Sequence, residues 1–132
     1  MNRRTVLILG VPAVAGMWVV PASAADASGQ RFPDVLAVKV RAVAGNRFDF
    51  DVTVSSPYDT AQRYADGFRV TSADDRVFGE RKLLHDHADE QPFTRDLHGG
   101  SIPPDVSTVV AQVRDQAFGY GGKSASVALP GR

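Results

Sequence analysis

Residues 83–95 read Leu-Leu-His-Asp-His-Ala-Asp-Glu-Gln-Pro-Phe-Thr-Arg, and here groups able to bind or catalyse are most crowded. His85 and His87 stand two apart. In an extended backbone that spacing puts both imidazoles on one face, about 7 Å apart from a rise of about 3.3 Å per residue, near enough to converge on one metal ion. Glu90 or Asp89 would complete such a site, and imidazole with carboxylate suits copper or zinc. The same residues also read as a solvated loop, with Asp86, Asp89 and Glu90 in water and Glu90 or Gln91 tying backbone donors ahead of Pro92. Catalysis has less support: there is no cysteine, no Gly-x-Ser-x-Gly elbow, no phosphate loop and no His-Glu-x-x-His helix, so an enzyme is not expected.

These groups need elements to hold them. Residues 47–55 alternate Phe48, Phe50, Val52 and Val54 with Arg47, Asp49, Asp51 and Thr53, the pattern of a strand with one apolar and one wet face. Before it, residues 35–43 put Leu36, Val38 and Val40 opposite Lys39 and Arg41, and Gly45-Asn46 separates the two strands. A third strand is predicted over 67–72 with Phe68 and Val70 inward, then a turn at Asp74-Asp75-Arg76, where Asp side chains bond their own backbone. A fourth follows over 77–84, a short fifth around Phe93, Arg95 and Leu97, a sixth over 106–114 and a seventh over 124–129. The stretch 99–105 reads as a loop, and 119–122 reads as a turn whose glycines supply positive φ angles.

Seven short strands at roughly ten-residue spacing, with Pro and Gly between them and no amphipathic helix, predict an all-β fold. The expected architecture is a seven-stranded antiparallel Greek-key sandwich, immunoglobulin or fibronectin-III-like without a disulfide, and the runner-up is a small closed β-barrel. A true antibody domain is excluded, because the Cys pair is missing and the only Trp, Trp18, lies in the leader described below.

In such a sandwich the connections after the second, fourth and sixth strands gather at one pole. That brings together 56–66, 85–91 and 115–123, with Tyr58, Asp59, Tyr64, Asp66, His85, His87, Glu90, Asp115 and Tyr120. His98 goes to the opposite pole. The candidate binding residues are Tyr64, Asp66, Arg95, Asp115 and Tyr120, and the candidate metal ligands are His85, His87 and Glu90. Arg95 shares its side with Phe93 and Leu97, so it points inward and either pairs with a carboxylate such as Asp115 or marks a register one residue off.

Composition narrows the partners. Within 132 residues there is room for one ordinary domain, expected over 34–132 after a leader over 1–24 and a flexible segment over 25–33. The leader has Arg3 and Arg4, an apolar run over 6–20 and small residues at Ala22 and Ala24, which predict signal-peptide cleavage after Ala24. Asn2-Arg3-Arg4-Thr5-Val6-Leu7 also matches part of a twin-arginine signal, so export by that route or the general secretory one stays open. The apolar run, interrupted by Gly10, Pro12 and Gly16, falls short of the roughly 20 residues of a spanning helix. With no Cys to carry a lipid, a soluble periplasmic or secreted product is expected, with no membrane insertion. The formal net charge is zero, and losing Arg3 and Arg4 leaves the rest slightly acidic, which argues against nucleic acid and anionic membranes.

The segment His85-x-His87-x-x-Glu90-Gln91-Pro92-Phe93-Thr94-Arg95, followed by Arg114-Asp115 and Gly119-Tyr120-Gly121-Gly122, resembles a group of small exported bacterial proteins without an assigned function. The likeness runs from about Pro33 to Pro130 and implies a β-sandwich domain of unassigned activity. The reading carried forward is an exported binding or interaction module for an unknown protein or small ligand. Its competitors are a periplasmic copper or zinc binding protein and a structural module of an envelope complex.

Overall fold

The strongly alternating segment becomes the centre of the first sheet. In the computed structural model, which describes residues 30–132, β2 (Arg47–Ser55) is flanked by β1 (Asp34–Ala44) and β5 (Phe93–Ser101), both antiparallel to it. The leader expected over 1–24 and most of the segment expected over 25–33 lie outside the described residues. The second sheet has the order β4 (Val77–Lys82), β3 (Ala65–Thr71), β6 (Thr108–Asp115), β7 (Gly119–Tyr120), with β8 (Ala125–Ala128) also paired to β6. All its ladders are antiparallel, and no helix occurs among the described residues.

Period-two patterning decides what each sheet buries. Phe48, Phe50, Val52 and Val54 of β2, with Phe93 of β5, meet Phe68 and Val70 of β3 and Val109, Ala111 and Val113 of β6 in one apolar core. Ile102 and Leu129 close it from the connecting segments. Fully burying each of these large side chains contributes about 1.5–3 kcal/mol, enough in sum to hold two sheets together without a disulfide. The expected all-β fold of two antiparallel sheets is present, and the closed barrel is not.

Among the described residues eight strands form where the sequence predicts seven. The segment 119–122, expected as a turn, contributes β7, the predicted seventh strand forms as β8, and the backbone between them is engaged elsewhere. Lys123 donates its N–H to Asp34 Oδ1 at 2.8 Å, and its carbonyl accepts the N–H of Val35 at 2.8 Å. Gly122 permits that approach: a Cβ there would stand 1.9 Å from the carbonyl oxygen of Pro33. β5 also runs further than predicted. Gly99, read as part of a loop, adopts φ +70° within a bulge between the Phe48 and Phe50 pairings, and its N–H bonds Asp49 Oδ1 at 2.8 Å.

Arg95 lies opposite Val52 in the β2–β5 ladder and so is on the inner side, as its spacing from Phe93 predicts. The expected carboxylate partner is Glu90 and not Asp115. β5 is an edge strand, so the long side chain escapes between the sheets and meets Glu90, with Arg95 Nη2 at 2.9 Å from Oε1 and Nη1 at 3.2 Å from Oε2.

Candidate functional site

Three connections meet at one end of the sheets, and buried polar groups fasten them. Asp59, in the β2–β3 connection, accepts the N–H of Ala65 at 3.1 Å and the N–H of His87 at 3.0 Å. Gln91 accepts the N–H of Ser56 at 2.7 Å and donates to the His87 carbonyl at 2.9 Å. Gln116, just past β6, donates its N–H to the carbonyl of Tyr64 at 2.9 Å. The segments carrying Tyr64, His87 and Asp115 are therefore joined at one tip of the molecule.

Two buried carboxylates in this network behave differently. Asp115 has no exposed surface, and burial alone would raise its pKa. Hydrogen bonds outweigh that: Tyr58 Oη donates at 2.6 Å, Arg63 Nε at 3.1 Å, and the amides of Ala117 and Phe118 at 2.8 Å each, so the carboxyl stays below its ordinary value. Burial and the neighbouring carboxylate push the Tyr58 phenol up. For Asp59 burial wins over the amides of His87 and Ala65, and its pKa is raised. Asp115 and Asp59 have their acceptor atoms turned to the protein's own donors, which makes them fasteners of the three connections. Arg63 completes the arrangement by lying over the rings of Tyr58, at 4.2 Å, and Phe118, at 4.7 Å. Asp59 and Tyr58 lie within the pole the sequence outlines, but Arg63 was missed; it is 52 positions from its partner, and no spacing rule links them.

The histidines sit beside this network. His87 is buried, with 7 % of its surface exposed, and its ring lies flat on Phe93 with centroids 4.0 Å apart and an angle of 10°. Burial, then the cation of Arg95 and the neighbouring His85, lower its pKa. His85 is exposed, its ring centroid 5.1 Å from that of His87 and its Nδ1 2.9 Å from the carbonyl oxygen of Asp86. Glu90 is held by Arg95, which lowers its pKa. Among the described residues no group of three or more His, Cys, Asp or Glu is placed to hold a metal ion. His98 lies apart from this pair, on β5, with Nδ1 3.3 Å from Asp49 and Nε2 2.9 Å from Asp96.

On the second sheet lies a cleft of about 450 Å³ that contains Tyr64, Asp66 and Tyr120, three of the five residues chosen from sequence for binding. Arg95 and Asp115 are elsewhere. Arg114 pairs with Asp66 in the cleft, and Glu80, Arg81, Lys82, Leu83 and Leu84 form the wall from β4 and its extension. The Arg69 guanidinium lies 3.9 Å from the Tyr120 ring centroid and donates from Nε to Gln112 Oε1 at 2.7 Å. Burial raises the Tyr120 pKa, with Arg69 opposing, so the phenol stays protonated and able to donate. The β4 wall, and Arg69 against the Tyr120 ring, belong to the sheet face, which a grouping of connections does not reach. The signal was present: Arg69, Gln112 and Arg114 alternate with buried residues on β3 and β6, and the register pairs Arg69 with Gln112 and Gly67 with Arg114.

No family model and no solved structure matches this sequence. A protein of Halomicrobium mukohataei named "Putative lipoprotein" is 37 % identical to it over 95 residues, which cover 71 % of the chain and 46 % of that protein. The chain thus spans about half the length of this relative. Among the described residues no helix is long and apolar enough to cross a membrane.

Proposed function

We propose that this chain is an exported ligand-binding module and that the cleft between Tyr64 and Tyr120 is its binding seat. The observation that carries the reading is the gathering of two phenols, the Asp66–Arg114 pair and the apolar Leu83 and Leu84 around one cleft of about 450 Å³. Binding sites combine apolar walls with a few placed polar groups, and this one offers both. Its charged lining has both signs, with Asp66 and Glu80 facing Arg81, Lys82 and Arg114. A ligand suited to it is polar, carries little net charge, presents hydroxyl or amide groups and has an apolar face for the rings.

Two further elements belong to this proposal. The strand orders β1-β2-β5 and β4-β3-β6-β7, with β8 beside β6, support a Greek-key sandwich of the immunoglobulin or fibronectin-III kind in which β7 and β8 together act as the seventh strand. The relative's name and the signal-like residues 1–24 support export to the cell envelope or beyond.

The test is ligand-observed NMR on the full-length protein with a panel of oligosaccharides and short neutral peptides. Binding is expected for one class and is expected to disappear in Tyr64→Ala and Tyr120→Ala while persisting in His98→Ala. No binding across the panel, or binding that survives both tyrosine substitutions, rejects the cleft as the seat.

A further inference from the structure

His85 and His87 lie outside the cleft's lining, and their geometry is independent of it. We infer that the two imidazoles form a site for a divalent transition-metal ion, copper(II) before zinc, with the remaining positions taken by water.

Ring separation is the first support. With a metal–nitrogen distance of about 2.0–2.1 Å and a near-tetrahedral angle, two coordinated imidazoles place their ring centres about 5 Å apart. The centres of His85 and His87 are 5.1 Å apart, with the rings tilted by 34°.

The outer hydrogen bonds are the second. A ligating histidine donates its other ring N–H to a carbonyl or carboxylate, which fixes the tautomer and aims the free lone pair. His85 Nδ1 stands 2.9 Å from the carbonyl oxygen of Asp86, so Nδ1 is the donor and Nε2 carries the lone pair. His87 is the complement: its Nδ1 is buried and has no hydrogen-bond partner. A buried polar atom without a partner costs about 1–3 kcal/mol, and coordination would satisfy it.

The third support is rigidity before binding. The His87 amide is held by Asp59, its carbonyl accepts from Gln91 Nε2 at 2.9 Å and from the Glu90 N–H at 3.1 Å, and its ring is clamped on Phe93. Glu90 is excluded from the donor set because Arg95 holds both its carboxylate oxygens.

Calorimetric titration of the full-length protein with Cu(II) and with Zn(II), together with nitrogen hyperfine structure in the Cu(II) electron paramagnetic resonance spectrum, tests the site. One equivalent of Cu(II) coordinated by two imidazole nitrogens is expected, bound more tightly than Zn(II). His85→Ala, at an exposed position that leaves the fold intact, is expected to weaken binding by more than the roughly 10- to 100-fold that loss of an outer-shell partner costs. His98→Ala and Glu90→Gln are expected to leave affinity and spectrum unchanged. Absence of binding, undiminished binding in His85→Ala, or loss of binding in His98→Ala or Glu90→Gln would overturn the assignment.

Discussion

Asp59 Oδ2 accepts the backbone N–H of His87 at 3.0 Å, tying together two connections 28 positions apart. The other oxygen of the same carboxylate takes the N–H of Ala65 at the start of β3. One side chain thus fixes the segment with the imidazoles against the sheet that carries the cleft.

Asp59→Ala removes both acceptors and leaves two buried amides unpaired, at a cost of about 1–3 kcal/mol each. The expected result is a lower urea midpoint together with faster hydrogen exchange at the amides of His87 and Ala65. Unchanged exchange at both amides would show that Asp59 does not fasten the connection.

Asp115→Asn strips the charge from a carboxylate that Tyr58, Arg63 and two amides all donate to. A loss of about 3 kcal/mol is expected, since removing one partner of a buried pair leaves the other charge uncompensated. The pH dependence follows from the lowered pKa of Asp115. A depressed carboxyl stabilises the fold above its unfolded value, near 3.8, and that stability is lost as pH falls through the folded value. Urea midpoints measured below about pH 4 should fall steeply for the native protein and less so for the variant.

The two histidines with shifted pKa values impose opposite slopes around neutrality. Burial lowers the His87 pKa from 6.5, so the unfolded chain takes up the proton first and stability falls as pH drops below that value. Asp49 and Asp96 raise the His98 pKa, so its contribution is full below 6.5 and is lost as pH rises through the folded value. His87→Phe, which keeps a ring against Phe93, should flatten the acidic side of a stability profile. His98→Gln should flatten the other side, and the reverse assignment would contradict the geometry.

Gly122→Ala places a Cβ against the carbonyl of Pro33, and the strain is expected to cost about 1–3 kcal/mol. Loss of exchange protection should appear first at the Val35 and Lys123 amides, which join the start of β1 to the segment before β8. Full stability in this variant would show that the close approach is not needed.

The sequence determined what alternation can encode. Residues 47–55 carry apolar and polar groups in strict period two, and β2 begins and ends at Arg47–Ser55, where that period does. The inner-side position of Arg95 follows from the same local rule, because a strand's faces are set by its own backbone geometry, and the absence of a disulfide follows from the absence of cysteine. Tertiary structure alone decided who meets whom. Arg95 went to Glu90, five positions away, and Asp115 took Arg63, 52 positions away, since the choice depends on which side chains the packed sheets leave within reach. The contact between the segment before β8 and the start of β1 was hidden for the same reason. It depends on hydrogen bonds of the Lys123 backbone with the Asp34 carboxylate and the Val35 amide at the start of β1, and a residue's lack of a side chain, as at Gly122, does not announce which neighbour will occupy the space.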